Sequence, residues 1–416
     1  MSKQGHIVVV GGGIIGGLSA WYLRKSGREV TIVDRDRFGA ACSHGNCGYI
    51  SPSHVLPLPQ PGAVTSTFKA MFGPSNPFYI KPRFSPTLWW WLMKFAGRCN
   101  TSDMMEAGHA RHALLQSSRQ LYEELVVSEN IDCEWNSAGL LFVHQSQHHF
   151  EEYEKVDKLL RDNFGIGATA YDGAKLRELE PSIKDGIAGA WHYETDAWVR
   201  PDRMMSGLRK RLEEVGVSIK ENCDVTSFVR QNGSATAVRT SSGDIEASGF
   251  VVATGALTPF LNKHLGCKVP IQPGKGYSIT MPRPSVCPNL PMILEEHRVA
   301  ITPMQSGYRI GSTMEFAGYD TTVNRTRLGM LSKGAEHYLH EPYCEPIEEE
   351  WFGWRPMTYD GKPFIDRSPA ISNVWVAAGH NMLGLSMGTA TGRLITELIN
   401  GEEPHVDPKP YSFSRL

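Results

Sequence analysis

The sequence of 416 residues predicts an α/β protein, α+β when taken whole, with one unit on a parallel sheet and a second on a mixed sheet. Three observations carry this. A β-branched run, His6 to Val10, leads through a glycine-rich turn into a helical pattern and a second strand. Two strands far down the chain, ending near Thr254 and Ala378, also close on glycines. Between them lie strand-like runs such as Gly139–Val143 and Tyr308–Ile310, with helical stretches near 110–128 and 147–163.

The first element is the most specific. Ile7 to Val10 is short and continuously apolar, as a parallel strand buried on both faces is. Gly11-Gly12-Gly13-Ile14-Ile15-Gly16 follows and fits G-x-G-x-x-G. Gly11 permits the tight turn, Gly13 lets backbone approach a pyrophosphate, and Gly16 lets the helix pack on the strand. From Ile14 to Lys25 the pattern is helical, with Ile15, Leu18 and Tyr22 on one face, and Gly27 closes it. A second strand, Glu29 to Val33, ends at Asp34, whose carboxylate suits both ribose hydroxyls of an adenosine and repels a 2′-phosphate. In this order the pieces predict a Rossmann-like dinucleotide site, with Arg35 at its rim. The fingerprint alone leaves NAD and FAD open.

The stretch after Asp34 favours FAD. Instead of more βα units, the chain enters an irregular loop from Arg35 to Pro61, with Ser43-His44-Gly45-Asn46-Cys47-Gly48 and Ile50-Ser51-Pro52. Such a loop suits a longer cofactor. Ile245 to Ala256 reads as a strand closing on Ala253-Thr254-Gly255. Asn373 to His380 reads as another that opens on Gly379. A helix over Gly384 to Glu397 follows, and its N-terminus, with Gly384, Leu385, Ser386 and Met387, can stabilise negative charge near the flavin N1–C2=O region.

These segments resemble the D-amino-acid oxidase-like superfamily of FAD amine oxidoreductases, with its glutathione-reductase-type flavin domain. Within it, the sequence is most similar to bacterial D-amino-acid dehydrogenases. The likeness rests on Val8–Asp34, Gly45–Pro52, Lys275-Gly276-Tyr277-Ser278, Trp354–Gly361 and Gly379–Gly388, and covers nearly the whole chain. It implies a discontinuous FAD-binding domain of residues 1–55, 200–265 and 355–416. Residues 56–199 and 266–354 would form a substrate domain whose mixed sheet roofs the flavin ring. It also places Val225 where backbone meets the adenine. Ser43, His44, Asn46, Gly48, Thr254 and Gly255 fall along the cofactor. Relatives attach flavin covalently through a histidine near His44, but the register here is displaced, so non-covalent FAD is expected.

Oxidising an amine with a flavin requires the substrate carboxylate to be held, and an arginine fork with a tyrosine beside it does this best. Arg355, in Trp354-Arg355-Pro356, is the first candidate; pairing with Asp360 or a carbonyl is its structural alternative. Arg309, on a strand, is the second, with a cross-strand salt bridge as the alternative. Tyr277 matches a family segment near the active site, and His380 precedes the flavin-facing turn. Met304 stands where some amino-acid oxidases of the superfamily carry an arginine, so the clamp stays open. The expected reaction takes a D-amino acid to its imine, which water hydrolyses to a 2-oxo acid and ammonia. Cyclic or N-substituted amino acids such as hydroxy-D-proline, D-proline or sarcosine are the alternative substrates. A flavin monooxygenase using NAD(P)H, or a protein holding FAD only as structural support, is the rival class.

A net charge of −2 excludes bulk attraction to nucleic acid or anionic lipid. The 8 cysteines contain no C-x-x-C pair, which predicts free thiols in a reducing cytoplasm and no metal site. The short polar leader, Ser2 to His6, is unlike a signal peptide, and no apolar stretch is long enough to span a bilayer. Trp89-Trp90-Trp91-Leu92 and Phe95, followed by Lys94 and Arg98, read as core with partial exposure. The other reading is peripheral contact with the inner face of the cell membrane, where a quinone rather than dioxygen could take the electrons. Glu348-Glu349-Glu350 reads as a solvated charge run.

Overall fold

The computed structural model of the chain describes residues 5–64 and 78–416. The start of the polar leader, Ser2 to Gln4, lies outside them.

Ile7–Val10 sits at the centre of a six-stranded sheet ordered Phe364–Arg367, Val374–Ala378, Gly249–Val252, Ile7–Val10, Val30–Val33, Ser218–Lys220. All neighbours run parallel except the first pair. The central strand is buried at every position, because helices and meander cover both faces of a parallel sheet. Parallel pairing also sends the carboxyl ends of these strands to one edge, where Gly11, Asp34, Ala253 and Gly379 follow. A ligand crevice in an open α/β sheet lies along that edge. The first helix, Ile14–Lys25, packs beside the last, Gly388–Asn400. An antiparallel meander of Val225–Gln231, Ser234–Thr240 and Gly243–Glu246 attaches outside.

The second sheet has nine strands. Its path runs Glu349–Thr358, Ile271–Met281, Gly307–Phe316, Val299–Met304, Met292–Leu294, Leu140–His144, Gly189–Tyr193, Thr169–Asp172, with Phe78–Ile80 paired to Gly307–Phe316. It is mixed: Met292–Leu294 with Leu140–His144, and Phe78–Ile80 with its partner, are parallel, and the other pairs are antiparallel. Glu349–Thr358 belongs wholly to this sheet, so Arg355 projects from the second sheet rather than the first.

The period of two along Ile271–Met281 decides what each residue faces. Tyr277, Ile279 and Met281 enter a core shared with Leu328 and Leu331 of the helix Arg325–Glu336. Gly276, Ser278 and Thr280 face the other way, onto the loop around residues 42–48. Ser278 Oγ donates to the Gly45 carbonyl at 2.7 Å.

The tryptophan cluster lies on the helix Pro86–Gly97, which Ser85 caps and Pro86 opens. Trp91 is buried and donates from Nε1 to the Pro270 carbonyl at 3.1 Å. Trp89 and Trp90 are 54% and 42% exposed, so the three adjacent rings divide between core and surface. Among the described residues, no helix is long and apolar enough to cross a membrane. The eight cysteines form no disulfide.

Candidate active site

The glycine turn is built for close approach. Gly11 has φ +110°, and a Cβ on Gly16 would overlap the Gly11 carbonyl oxygen, so the helix touches the turn as only glycine allows. Gly13 is the N-cap of Ile14–Lys25, no side chain caps it, and the first turn has no acid. The Ile14 N–H donates to Ser43 Oγ at 2.9 Å. The rest of that helix end remains suited to an anion. Asp34 accepts from Gly12 N at 2.5 Å and from Asp36 N at 2.8 Å, and is half-buried. Burial raises its pKa, against those two hydrogen bonds. Arg35 beside it is exposed. Cys223 N donates to the Asp34 carbonyl at 2.8 Å, which brings Val225 and the meander to the same end. On the far side, Thr254 Oγ1 lies 3.0 Å from Thr258 Oγ1, and Gly255 has open space where a side chain would stand.

The loop from Cys42 to Ser51 is strapped between the two sheets. Asn46 Nδ2 donates to the Cys42 and Ser43 carbonyls at 3.2 Å, and its Oδ1 accepts from Gly48 N at 2.8 Å. Cys42 Sγ donates to the Trp354 carbonyl at 2.8 Å. His44 Nε2 meets Glu349 Oε1 at 2.8 Å, so the middle residue of the acidic run is a partner of this loop rather than a solvated charge. Ser386 Oγ donates to the Tyr49 carbonyl at 2.7 Å and accepts from Ser51 N at 3.3 Å, which ties the loop to the turn before the last helix. Leu385 in that turn accepts from Tyr122 OH at 2.8 Å. Met387 caps the last helix without a side-chain bond, and a Cβ on Gly384 would stand 3.7 Å from the His380 Cβ.

These residues fit FAD. Two helix N-termini whose N-cap residues make no side-chain bond meet one sheet edge, and Asp34 ends the neighbouring strand. Ser51 Oγ, beside Ser386, is buried without a hydrogen-bond partner. An elongated cofactor with a central pyrophosphate and polar groups at both ends matches that distribution.

The proposed substrate residues separate. Arg355 lies over Gly276, and a Cβ there would overlap its guanidinium. It donates to the Thr313 carbonyl at 2.7 Å and reaches toward the Ser312 carbonyl at 3.5 Å. Those carbonyls turn inward because the pairing slips by one residue between Lys275 and Tyr277, and Ser312 and Thr313 take φ +112° and +51°. Burial lowers the Arg355 pKa; only cysteines raise it, and no carboxylate does. Arg309 shares this face but is committed: it donates to Thr280 Oγ1 at 2.9 Å and to the His44 and Asn46 carbonyls at 3.1 and 2.9 Å. Tyr277 is on the opposite face and donates to Glu315 Oε2 at 2.8 Å. His380 is buried in the turn after Val374–Ala378. Its Nε2 meets Thr391 Oγ1 at 3.0 Å, and burial pushes its pKa down to about 3, so the ring is neutral.

Sequence reading missed Gly276 as the floor beneath Arg355. It also missed Arg111, a buried cation among Ala107, Ala110, Leu114 and Leu115 on the helix Thr101–Ser128. An arginine inside an apolar helical stripe was the available signal.

A parallel sheet carrying this fingerprint, joined to a mixed sheet in one chain, is the fold of a flavin-dependent oxidoreductase. The chain belongs to the DAO family of FAD dependent oxidoreductases, whose family model matches residues 6–398. A D-amino acid dehydrogenase of Vibrio atlanticus (strain LGP32) is 29% identical over 416 residues, 99% of each chain. One of Agrobacterium fabrum (strain C58 / ATCC 33970) is 30% identical over 417 residues, again 99% of each. Among solved structures, glycine oxidase from Geobacillus kaustophilus superposes with a TM-score of 0.80 at 20% identity over 100% of both chains.

Proposed function

We propose that this flavoprotein is a dehydrogenase that oxidises a D-amino acid at its α-carbon. Arg355 carries the reading. It is a half-buried guanidinium on the strand Glu349–Thr358, with no acid among the described residues paired to it, on the face that meets the flavin loop. A buried cation without an anion is where a substrate carboxylate belongs. FAD, when bound, would supply the acceptor for the α-carbon hydride. The chain's own contribution is positional. Arg355 fixes the carboxylate, the loop Cys42–Ser51 and the turn Gly379–Met387 hold the cofactor edge, and neutral His380 adds no charge that would compete with the clamp. Val225 backbone, Asp34, Thr254 and Gly255 serve the adenosine end. The imine product hydrolyses in water to a 2-oxo acid and ammonia. The names of the 29–30% identical relatives support this substrate class.

The exposed Trp89, Trp90 and Met93, with Lys94 beside them, support contact with the inner face of the cell membrane and a quinone as electron acceptor. The deciding experiment is anaerobic bleaching of the bound flavin. D-Alanine and other primary D-amino acids should bleach it and their L-enantiomers should not. Bleaching only by prolines or sarcosine would move the assignment to secondary amines. Bleaching by NADPH without any amine would overturn it.

A further inference from the structure

Burying a cation is unfavourable unless an anion answers it, and the buried cations of this protein divide on that test. Arg309 has Asp202 and Glu349 at 3.9 Å. Lys275 has Asp320 at 3.7 Å, Lys362 pairs with Glu106 at 2.5 Å, and Arg327 has Glu315 beside it. Among the fully buried cations of the described residues, Arg111, 3% exposed on the helix Thr101–Ser128, is the one that lacks an acid; half-buried Arg355 has none either.

A guanidinium carries five N–H donors. In Arg111, Nη2 donates to the His54 carbonyl at 2.7 Å, while Nε is buried without any partner. Burial alone pushes its pKa down to about 9, and no carboxylate opposes this. His54 adds a second unpartnered buried atom, Nδ1. Burial and the nearby Arg111 push the His54 pKa down to about 4, so its imidazole is neutral and can offer a donor. A residue with only packing to do in this stripe would be apolar, as Ala107, Ala110 and Leu114 are.

The position adjoins the site already described. On the same helix face, Ser118 Oγ lies 2.7 Å from Thr389 Oγ1, and Tyr122 reaches Leu385. Arg111 is about 10 Å further along the helix axis, at 1.5 Å per residue. Opposite it is Gly361, in the turn that follows Arg355's strand, whose Cβ position lies 3.8 Å from Arg111 Nη1. His54 belongs to the segment that continues from the loop fastened by Ser386.

We propose that Arg111, with His54 beside it, is a second carboxylate-binding position of this protein. Its Nε and Nη donors suit a small planar anion held by two parallel bonds. That anion is either the side-chain carboxylate of a dicarboxylic amino-acid substrate or a free monocarboxylate. The first source rests on the amino-acid oxidation proposed above; the second does not.

Two measurements test it on the FAD-loaded protein. Acetate, titrated against chloride at matched ionic strength, should raise Tm saturably in the wild type. The shift should persist in Arg355→Met, which removes the competing acetate site, and vanish when Arg111→Met is added to that variant. Dye-coupled turnover then compares kcat/KM for D-glutamate over D-glutamine, and D-aspartate over D-asparagine. If the anion is the substrate's own, these ratios fall at least tenfold in Arg111→Met. If they hold while the acetate shift is lost, the anion is a free one. The proposal is overturned if folded, flavin-loaded Arg111→Met keeps its substrate ratios and the Arg355→Met, Arg111→Met double variant keeps the acetate shift. Should that variant not fold, Arg111→Lys replaces the fork with a point charge, and unmoved readouts there overturn it equally. If no amino acid bleaches the flavin, the acetate arm still decides, so the two proposals fail separately.

Discussion

Replacing Gly276 by alanine drives a methyl group into the guanidinium of Arg355. Gly276 is not among the glycines with positive φ, so its backbone accepts alanine and the perturbation is steric alone. The new Cβ would fall well inside 3.0 Å of the guanidinium atoms, closer than real Cβ contacts, and the guanidinium must retreat by on the order of 1 Å. A charge-assisted hydrogen bond is worth about 1.5–3 kcal/mol, and losing one of the fork's two corresponds to roughly a 10- to 100-fold fall in kcat/KM. The assay is steady-state dye reduction with a D-amino acid, alongside flavin content and Tm. We expect full FAD content, a Tm within a few degrees of wild type, and the loss expressed in kcat/KM. Arg355→Lys should show a similar loss. Combining the two should add little, because both act on one interaction. A folded, flavin-loaded Gly276→Ala within threefold of wild type would refute the assignment of Arg355 as carboxylate clamp.

Other expectations follow from the same geometry. Tyr277→Phe should cost about 1–3 kcal/mol of stability by leaving buried Glu315 without its donor; chemical denaturation measures this, and kcat/KM should stay within a few-fold because Tyr277 faces the other core. Asp34→Ala removes the acceptor at the nucleoside end and frees the Gly12 N–H, so FAD affinity should fall at least tenfold by fluorescence titration, and unchanged affinity would remove Asp34 from the site. Asp196 is fully buried, holds Ser53 through its N–H at 3.0 Å and its Oγ at 2.5 Å, and burial pushes its pKa up to about 7 from 3.8. Since the folded value exceeds the unfolded one, this residue's favourable contribution is full below pH 4 and is lost as pH rises through about 7. Over that window the change approaches roughly 4 kcal/mol. Asp196→Asn should therefore gain stability relative to wild type as pH rises from 4 to 8; a constant difference would show that Asp196 ionises normally.

How much was legible in the sequence depended on the range over which each signal acts. The fingerprint Gly11–Gly16, the strand ending at Asp34 and the closing segments at Thr254 and Gly379 are local backbone requirements. Their consequence, the parallel sheet with a dinucleotide site, could be read from spacing alone, and the FAD family from the resemblance those segments carry. Side-chain direction is not local in that way. Tyr277 and Gly276 are neighbours in one strand, yet pleating sends them to opposite sides of the sheet. The register slip opposite Gly276, with positive φ at Ser312 and Thr313, has no glycine or proline at those two positions to announce it. Glu349 looked like one charge in a surface run because its partner, His44, is 305 residues away.

The arginines make the same point in energetic terms. Arg309 and Arg355 both lie on strands of the second sheet, face the same loop and lose protonation tendency through burial. Residue type and position could not rank them. What separates them is whether the donors are spent. Arg309 distributes its guanidinium over Thr280 and two loop carbonyls with two acids near 3.9 Å, so it stabilises the loop in the absence of any ligand. Arg355 has two carbonyls and no acid, and is left with charge that the fold does not neutralise. An incoming carboxylate gains most where that charge remains. Partner inventory, rather than proximity to a motif, therefore separates the arginine proposed to bind ligand from the one spent on structure, and the same criterion singles out Arg111.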